Sequence, residues 1–503
     1  MIKNNPNLAI IGAGLSGLVA AKHALSQDYD NIVILEKKST LGGIWSPEGY
    51  AWPGLSCNIS KFSMIFPYFQ FFETDDLYPK TDVVFDYLDE IAEAFNIKKH
   101  IKFETNVDFV IQNPDLSFKI HWTDKNGKHE QNFDRVIVAG GKMNKMDYGN
   151  FEKYRNKQNG CLLEIMHTGE YKSSDTFKNK RVMVLGVGHS STQLCSEICK
   201  VSSDLINVFR NPHFVMPRII YQEKYKKVIP REFIYLSTRA GRIPKENLNR
   251  NEIIRLNNKL FSQFSNQNDI HPDLYIPPDS EKRFGLSVAD EYLENVKQGK
   301  FKVIKSNIKE IIGSNVILEN GQMFEIDILM LGIGYLEDFS YLDEKIQKIL
   351  EYNPYNKFRP LNLDLSYVYN RNIRNLAFVG VQTAPTIWST HDFQAMVAIQ
   401  YLKHQDNYDE FYKRLEEVKQ PFVYSDSTGY IELMAKELDW IPDFEFIKKN
   451  DVELFDYVMN GPYLVHHFML KERNYGTKIW EKNAEFIRRF NRELKQKREI
   501  IYE

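Results

Sequence analysis

Cysteine is scarce and scattered: Cys57, Cys161, Cys195 and Cys199 are the only four in 503 residues. Their spacing builds neither a disulfide framework nor a zinc site. They read as free thiols that pack as small apolar residues, including Cys195 and Cys199, which sit four apart in a helical pattern. A surplus of one charge is missing too. With 65 Lys and Arg against 67 Asp and Glu, the formal net charge is -2, which gives no electrostatic reason to expect nucleic acid as a partner. Long apolar runs are absent: nowhere do about 18 apolar residues follow one another, as a membrane span needs. The stretch Ile328 to Leu336 is short and preceded by Asp327, and the terminal KQKREIIYE is charged. The N-terminal MIKNNPNLAIIGAG runs into a glycine turn with no signal-peptide pattern, so the expected address is cytoplasmic, without a membrane anchor.

The chain that remains is long enough for two large domains or about three ordinary ones. Two segments share one layout, a β-branched run, a glycine-rich turn and an apolar-periodic helix: Leu8 to Leu25 and Val182 to Ile198. Between them come an aromatic stretch from Trp45 to Tyr78, a helical pattern at Val84 to Phe95, and strand-like pieces at Ile101 to Val110, Ser117 to Trp122 and Asp134 to Ala139. Asn126-Gly127 supplies a turn. From about 217 to 300 the chain becomes polar, as an inserted lobe would. Strand-like runs resume at Phe301 to Lys305, Asn315 to Leu318, Ile326 to Leu331 and Leu376 to Gly380, and helices close the chain.

The first turn reads Gly12-Ala-Gly14-Leu-Ser-Gly17, and the next strand, Ile32 to Leu35, ends in Glu36. Gly12 permits the tight turn, Gly14 lets a pyrophosphate approach the backbone, and Gly17 lets the helix pack closely. Glu36 is placed to bind ribose hydroxyls. The second turn reads Gly186-Val-Gly188-His-Ser190-Ser191, and its next strand ends in Arg210. Glu36 and Arg210 each lie 24 residues past the first glycine of their turn. A carboxylate suits a free 2′-hydroxyl and an arginine suits a 2′-phosphate, so the first site reads as FAD and the second as NADPH. An ordinary surface arginine is the alternative for Arg210. A chain with both sites passes hydride from nicotinamide to flavin, and the reduced flavin then needs an acceptor. A disulfide acceptor would require a CxxC or CxxxxC pair, which this chain lacks, so O2 leads.

These residues resemble the flavin-containing monooxygenases, the N/S-oxygenating branch of the class B flavoprotein monooxygenases. The likeness is carried by Gly42-Gly43-Ile44-Trp45, by Leu55-Ser-Cys-Asn58-Ile-Ser-Lys61 and by Val136-Ile-Val-Ala-Gly140-Gly141. It continues through His167-Thr-Gly-Glu-Tyr171, Leu331-Gly-Ile-Gly334-Tyr335, Asn375 to Gly380, and Asn460-Gly-Pro-Tyr463. It departs at Cys161 and Leu163, where the family fingerprint has phenylalanine and glycine.

The resemblance implies an α/β fold with two Rossmann-like dinucleotide-binding domains, the NADPH domain inserted in the FAD domain, and a helical C-terminal segment. The boundaries it suggests are 1–165 for the first part of the FAD domain, 166–335 for the NADPH domain, and 336–503 for the completion. It implies oxygenation of a small amine or sulfide through a C4a-(hydro)peroxyflavin, with O2 and the substrate as partners and a homodimer in keeping with the family. It assigns Asn58 the role of active-site amide, and Gly43, Trp45, His167, Tyr171 and Gln394 places beside the cofactors. The aromatic run Phe62 to Phe72, with Trp388 and His391, reads either as core or as substrate pocket. Baeyer-Villiger oxidation of a ketone, peroxide release by an NADPH oxidase, and a non-catalytic FAD-binding protein remain open at this point.

Overall fold

The computed structural model describes residues 6–69, 76–157, 160–222, 227–235, 238–242, 248–357, 359–364, 366–381, 388–404 and 427–496. Its main elements are β1 (Leu8–Ile11), α1 (Leu15–Leu25), β2 (Ile32–Leu35), α2 (Thr81–Ala94), β3 (Ile101–Lys102), β4 (Arg135–Val138), β5 (Glu164–His167) and β6 (Arg181–Leu185). They continue with α3 (His189–Ile198), β7 (Asp204–Phe209), β8 (Lys302–Lys305), β9 (Ile328–Leu331), β10 (Leu376–Phe378), α4 (Ser389–Lys403), α5 (Ser427–Glu437) and α6 (Lys478–Gln496). Two compact units divide the chain: one takes Met1–Lys145, Leu236–Gly241 and Leu336–Gln496, the other Met146–Tyr235 and Arg242–Tyr335.

The first unit is built on a five-stranded sheet in the order β10-β4-β1-β2-β3, with every pairing parallel. Leu8-Ala-Ile-Ile11 is buried at all four positions, the continuous apolar run expected of a strand covered on both faces. Helix α1 packs against α4, and its Gly17, Ala20, Ala21 and Ala24 leave little side chain to hold the two apart. Of α4, all but a few residues are buried, as a helix enclosed by its own unit must be. A three-stranded antiparallel sheet, Asn106–Gln112, Phe118–Asp124 and Gly127–Phe133, buries alternate residues Phe118, Ile120 and Trp122. The C-terminal part is helical, through α5, Phe444–Asn450, Val452–Asn460 and α6.

The second unit repeats the plan, with a parallel five-stranded sheet in the order β8-β7-β6-β9-β5. In each unit a β-α-β hand returns the second strand to one side of the first, and a later strand takes the other side. That reversal is where a parallel sheet opens a crevice at its carboxyl ends. Within the polar stretch near 217–300, Ile219–Gln222 pairs antiparallel with Lys227–Pro230, and a helix runs over Arg250–Ser265 with its N-cap Asn249 accepting from Asn251 and Glu252 N–H. The units divide after Lys145, earlier than the expected boundary at 165, and Glu164–His167 pairs with Ile328–Leu331 in the second sheet. All four cysteines are free thiols. Among the described residues no helix is long and apolar enough to cross a membrane.

Candidate functional site

In the first unit the chain leaves β1 through Gly12, whose φ of +104° belongs to glycine. A Cβ on Gly12 would stand 2.7 Å from the Ala139 carbonyl oxygen, and one on Gly17 would stand 1.9 Å from that of Gly12. Only glycine at both places lets α1 begin so close to the strand it leaves. Gly14 N-caps α1 with no side-chain cap and no acid in the first turn. A Cβ on Gly43 would come within 3.0 Å of Gly14 Cα, so two bare backbones face each other there.

Three other helices of the unit are closed by carboxylates, Asp343, Asp443 and Asp451 each accepting a backbone N–H of the helix they cap, while α2 and α4 have no side-chain cap. The α1 terminus presents uncapped donors and the positive end of the helix dipole to whatever lies at Gly14 and Gly43, a cradle that fits a pyrophosphate.

Glu36 is 5 % exposed. Its Oε2 accepts from Ala13 N–H at 2.7 Å and its Oε1 from Lys38 N–H at 3.0 Å. Each oxygen keeps a lone pair, so the carboxylate is fixed in place and still able to accept from ribose hydroxyls. Lys38 Nζ donates to the Gly43 carbonyl at 3.0 Å and ties this strand end to the glycine pair. Trp45 is half-buried, its ring centroid 6.3 Å from that of Trp388. Asn58 is half-buried on an irregular segment held on both sides, by Cys57 N–H to Pro79 O and Lys61 N–H to Leu77 O, each 2.9 Å.

Gln394, which the resemblance places beside the cofactor, sits on α4. It is fully buried, its Oε1 accepting from Gly380 N–H at 2.8 Å and its Nε2 donating to Tyr430 OH at 2.6 Å. Its work is to hold the turn at Gly380, which has φ +83° and whose Cβ would meet Ser16 Oγ at 2.0 Å. Ser16 Oγ hydrogen-bonds His391 Nδ1 at 2.9 Å, and burial lowers that imidazole to about 4, so the ring is neutral near neutral pH. Sequence reasoning missed this Ser16–Gly380–His391 brace; the glycine ending an apolar strand was its one local signal. In the aromatic run Phe66 is fully buried and stacks on Tyr68 at 5.5 Å, Pro67 and Tyr68 line a cavity, and Phe71 and Phe72 lie outside the described residues.

The second unit reproduces the turn. Gly186 has φ +110°, and its N–H donates to Val208 O at 2.7 Å, as Gly12 N–H does to Leu35 O at 2.9 Å. Gly188 N-caps α3, again without a side-chain cap or an acid in the first turn, and a Cβ there would meet nothing within 4 Å. Ser190 is half-buried in that first turn. Ser191 holds the place of Gly17; it is buried and its Oγ has no hydrogen-bond partner among the described residues. Room for it comes from Gly332, where a Cβ would lie 1.8 Å from Ser191 Oγ.

Arg210 follows β7, is exposed, and has no carboxylate within 4 Å among the described residues. His167 and Tyr171 are engaged by protein: His167 Nε2 donates to Gly334 O at 2.8 Å, its Nδ1 accepts from Gly169 N–H at 3.0 Å, and Tyr171 OH donates to Glu197 at 2.8 Å. They brace the ends of β5 and α3. Cys161 and Leu163, the departures from the fingerprint, are buried in this unit's core.

The flavin-binding monooxygenase-like family model matches residues 5–498. Human (Homo sapiens) flavin-containing monooxygenase 3 is 27% identical over 499 residues, covering 92% of this chain and 88% of its own. Among solved structures, S-allyl-L-cysteine S-oxygenase from Allium sativum aligns with a TM-score of 0.56 at 16% identity, covering 90% of this chain and 94% of that one. Cyclohexanone-bound cyclohexanone monooxygenase aligns with a TM-score of 0.62 at 15% identity, covering 86% and 98%. At these identities the structural likenesses speak for the fold alone.

Proposed function

The chain belongs to the flavin-binding monooxygenase-like family, and from that premise we propose that it draws electrons from NADPH and oxygen from O2 to oxygenate a small soft nucleophile, an amine nitrogen or a sulfide sulfur. The observation that carries the reading is the pair of uncapped glycine turns, one answered by the buried Glu36 and the other by the exposed Arg210. The flavin, when bound, supplies the redox chemistry: it takes hydride from NADPH and reduces O2, one oxygen atom going to the substrate and the other leaving as water.

The protein's part is to bind and orient. The α1 N-terminus, with Gly12, Gly14, Gly17 and Gly43, receives the FAD pyrophosphate, and Glu36 accepts from the ribose. Trp45 flanks that site. The α3 N-terminus, with Gly186, Gly188, Ser190 and Ser191, receives the NADPH pyrophosphate, and Arg210 pairs with the 2′-phosphate through charge-assisted hydrogen bonds. His167 and Tyr171 keep the second module in shape for it. Asn58 donates an amide hydrogen bond near the flavin without offering an acidic proton.

The test is product analysis by mass spectrometry with NADPH, air and three probes: methyl phenyl sulfide, N,N-dimethylaniline and cyclohexanone. Sulfoxide or N-oxide carrying one atom from 18O2 is expected. Lactone from the ketone with neither of the others would replace the reading with Baeyer-Villiger chemistry.

A further inference from the structure

We propose that a cavity in the first unit, walled by α1, α4 and α6, is a binding site for a small amphiphilic carboxylate, apart from the cofactor turns. The cavity measures about 360 Å³, room for on the order of a dozen waters at ~30 Å³ each, and it falls at the small end of the range of about 300–1,000 Å³ typical of ligand pockets. None of the residues assigned to FAD or NADPH lines it.

Its wall is mostly apolar, formed by Pro67, Met396, Trp440, Met469 and Ile479. Set into that wall are three lysines: Lys22 on α1, and Lys478 and Lys482 one turn apart on α6. No carboxylate comes within 4 Å of any of the three ammonium groups among the described residues. Lys22 Nζ instead lies 3.6 Å from the centroid of the Tyr68 ring and 3.5 Å from His23 Nδ1. Burial lowers the Lys22 ammonium below its usual value, and nearby Asp392 only partly offsets this.

The one carboxylate lining the cavity among the described residues, Asp392, is already spoken for. It is 1 % exposed, and its Oδ1 accepts from His23 Nε2 at 2.5 Å and from Tyr68 OH at 2.6 Å. Burial would raise this carboxyl, but His23 and Lys22 together hold it below the ordinary range, so it stays ionised. The cavity therefore has three cations and one engaged anion on an apolar surface. The ligand that complements such a wall has a single anionic head and an apolar body. With lysines rather than the planar fork of arginine on the wall, recognition is by point charge, which a carboxylate satisfies.

The experiment is isothermal titration calorimetry of octanoate into the full-length, flavin-loaded protein, with acetate and octanol as separate probes. One-to-one saturable binding of octanoate is expected, at least tenfold tighter than either acetate or octanol. Lys22→Met and Lys482→Met should each weaken it about tenfold or more, and Met396→Trp, which fills the cavity, should abolish it. Lys482 is an exposed helix residue, so its variant keeps the test available should the buried substitutions impair folding. Absence of saturable octanoate binding, equal affinity for acetate, or binding unchanged by Lys482→Met overturns the proposal. Reduction of the flavin by NADPH, followed in the same samples, reports separately on the cofactor reading.

Discussion

Glu36 and Arg210 occupy matching places in the two modules and differ in burial as well as in sign. Glu36 is held by two backbone N–H groups, whereas Arg210 stands exposed with no carboxylate beside it among the described residues. Arg210→Ala is expected to cut the preference for NADPH over NADH by roughly tenfold to a hundredfold, about 1.4–2.8 kcal/mol, read as the ratio of kcat/KM for the two nucleotides. An unchanged ratio would return Arg210 to the rank of a surface arginine. Glycines separate in the same way. Gly17→Ala should abolish flavin incorporation, since its Cβ has no room beside Gly12 O. Gly188→Ala should leave flavin content intact and raise the KM for NADPH, because its Cβ meets only the space the cofactor would enter. Absorbance at 450 nm against 280 nm distinguishes the two.

Glu337 is a different kind of residue. It is 4 % exposed with neither carboxylate oxygen hydrogen-bonded among the described residues, and burial raises its carboxyl to about 8 against the pull of Lys142. Between the ordinary carboxylate value and pH 8 the folded chain keeps a proton that the unfolded chain has released. Its contribution to stability is therefore full below the unfolded value and is lost as pH rises through about 8. Glu337→Gln should raise Tm relative to the parent by an amount that grows from about pH 5 to about pH 8; a gain independent of pH would contradict the assignment.

At the level of elements, the two β-turn-α modules were legible because everything that makes them is local: an apolar run, glycines at fixed offsets, and small residues opening a helix. The Asn315–Leu318 strand matched its sequence pattern for the same reason. Contacts between distant segments were not legible. The amide of Gln394 closes on Gly380 and Tyr430, partners that only the packed fold brings together. Ser191 illustrates the point further. In sequence it is a lost glycine; in structure the space it needs is supplied by Gly332 on the neighbouring strand end. The first module solves the same problem in reverse, with Gly17 on the helix and Ala139 on the strand end, the Ala139 Cβ lying 3.8 Å from where a Gly17 Cβ would stand. Gly332→Ala should therefore cost on the order of 1–3 kcal/mol by overpacking, and adding Ser191→Gly should recover much of it. Thermal unfolding of the two single variants and the double variant checks the coupling; additive losses would mean that the two sites do not share this space.

Over the whole molecule, one architecture is used twice, and the proposed division of the cofactors rests on what ends each second strand. The duplication was readable from the glycine patterns, whereas the pairing of Glu164–His167 with Ile328–Leu331 was not, because it joins segments remote in sequence. The cavity bounded by Lys22, Asp392 and Lys482 was equally hidden, being assembled from six separate stretches of chain. The central claim concerns the fate of electrons from NADPH. The measurement that tests it most directly is the stoichiometry of sulfoxide formed and hydrogen peroxide released per NADPH consumed, with methyl phenyl sulfide in air-saturated buffer. Close to one sulfoxide per NADPH with little peroxide is the predicted result; one peroxide per NADPH whatever sulfide or amine is supplied, or a flavin that NADPH never bleaches, would contradict it.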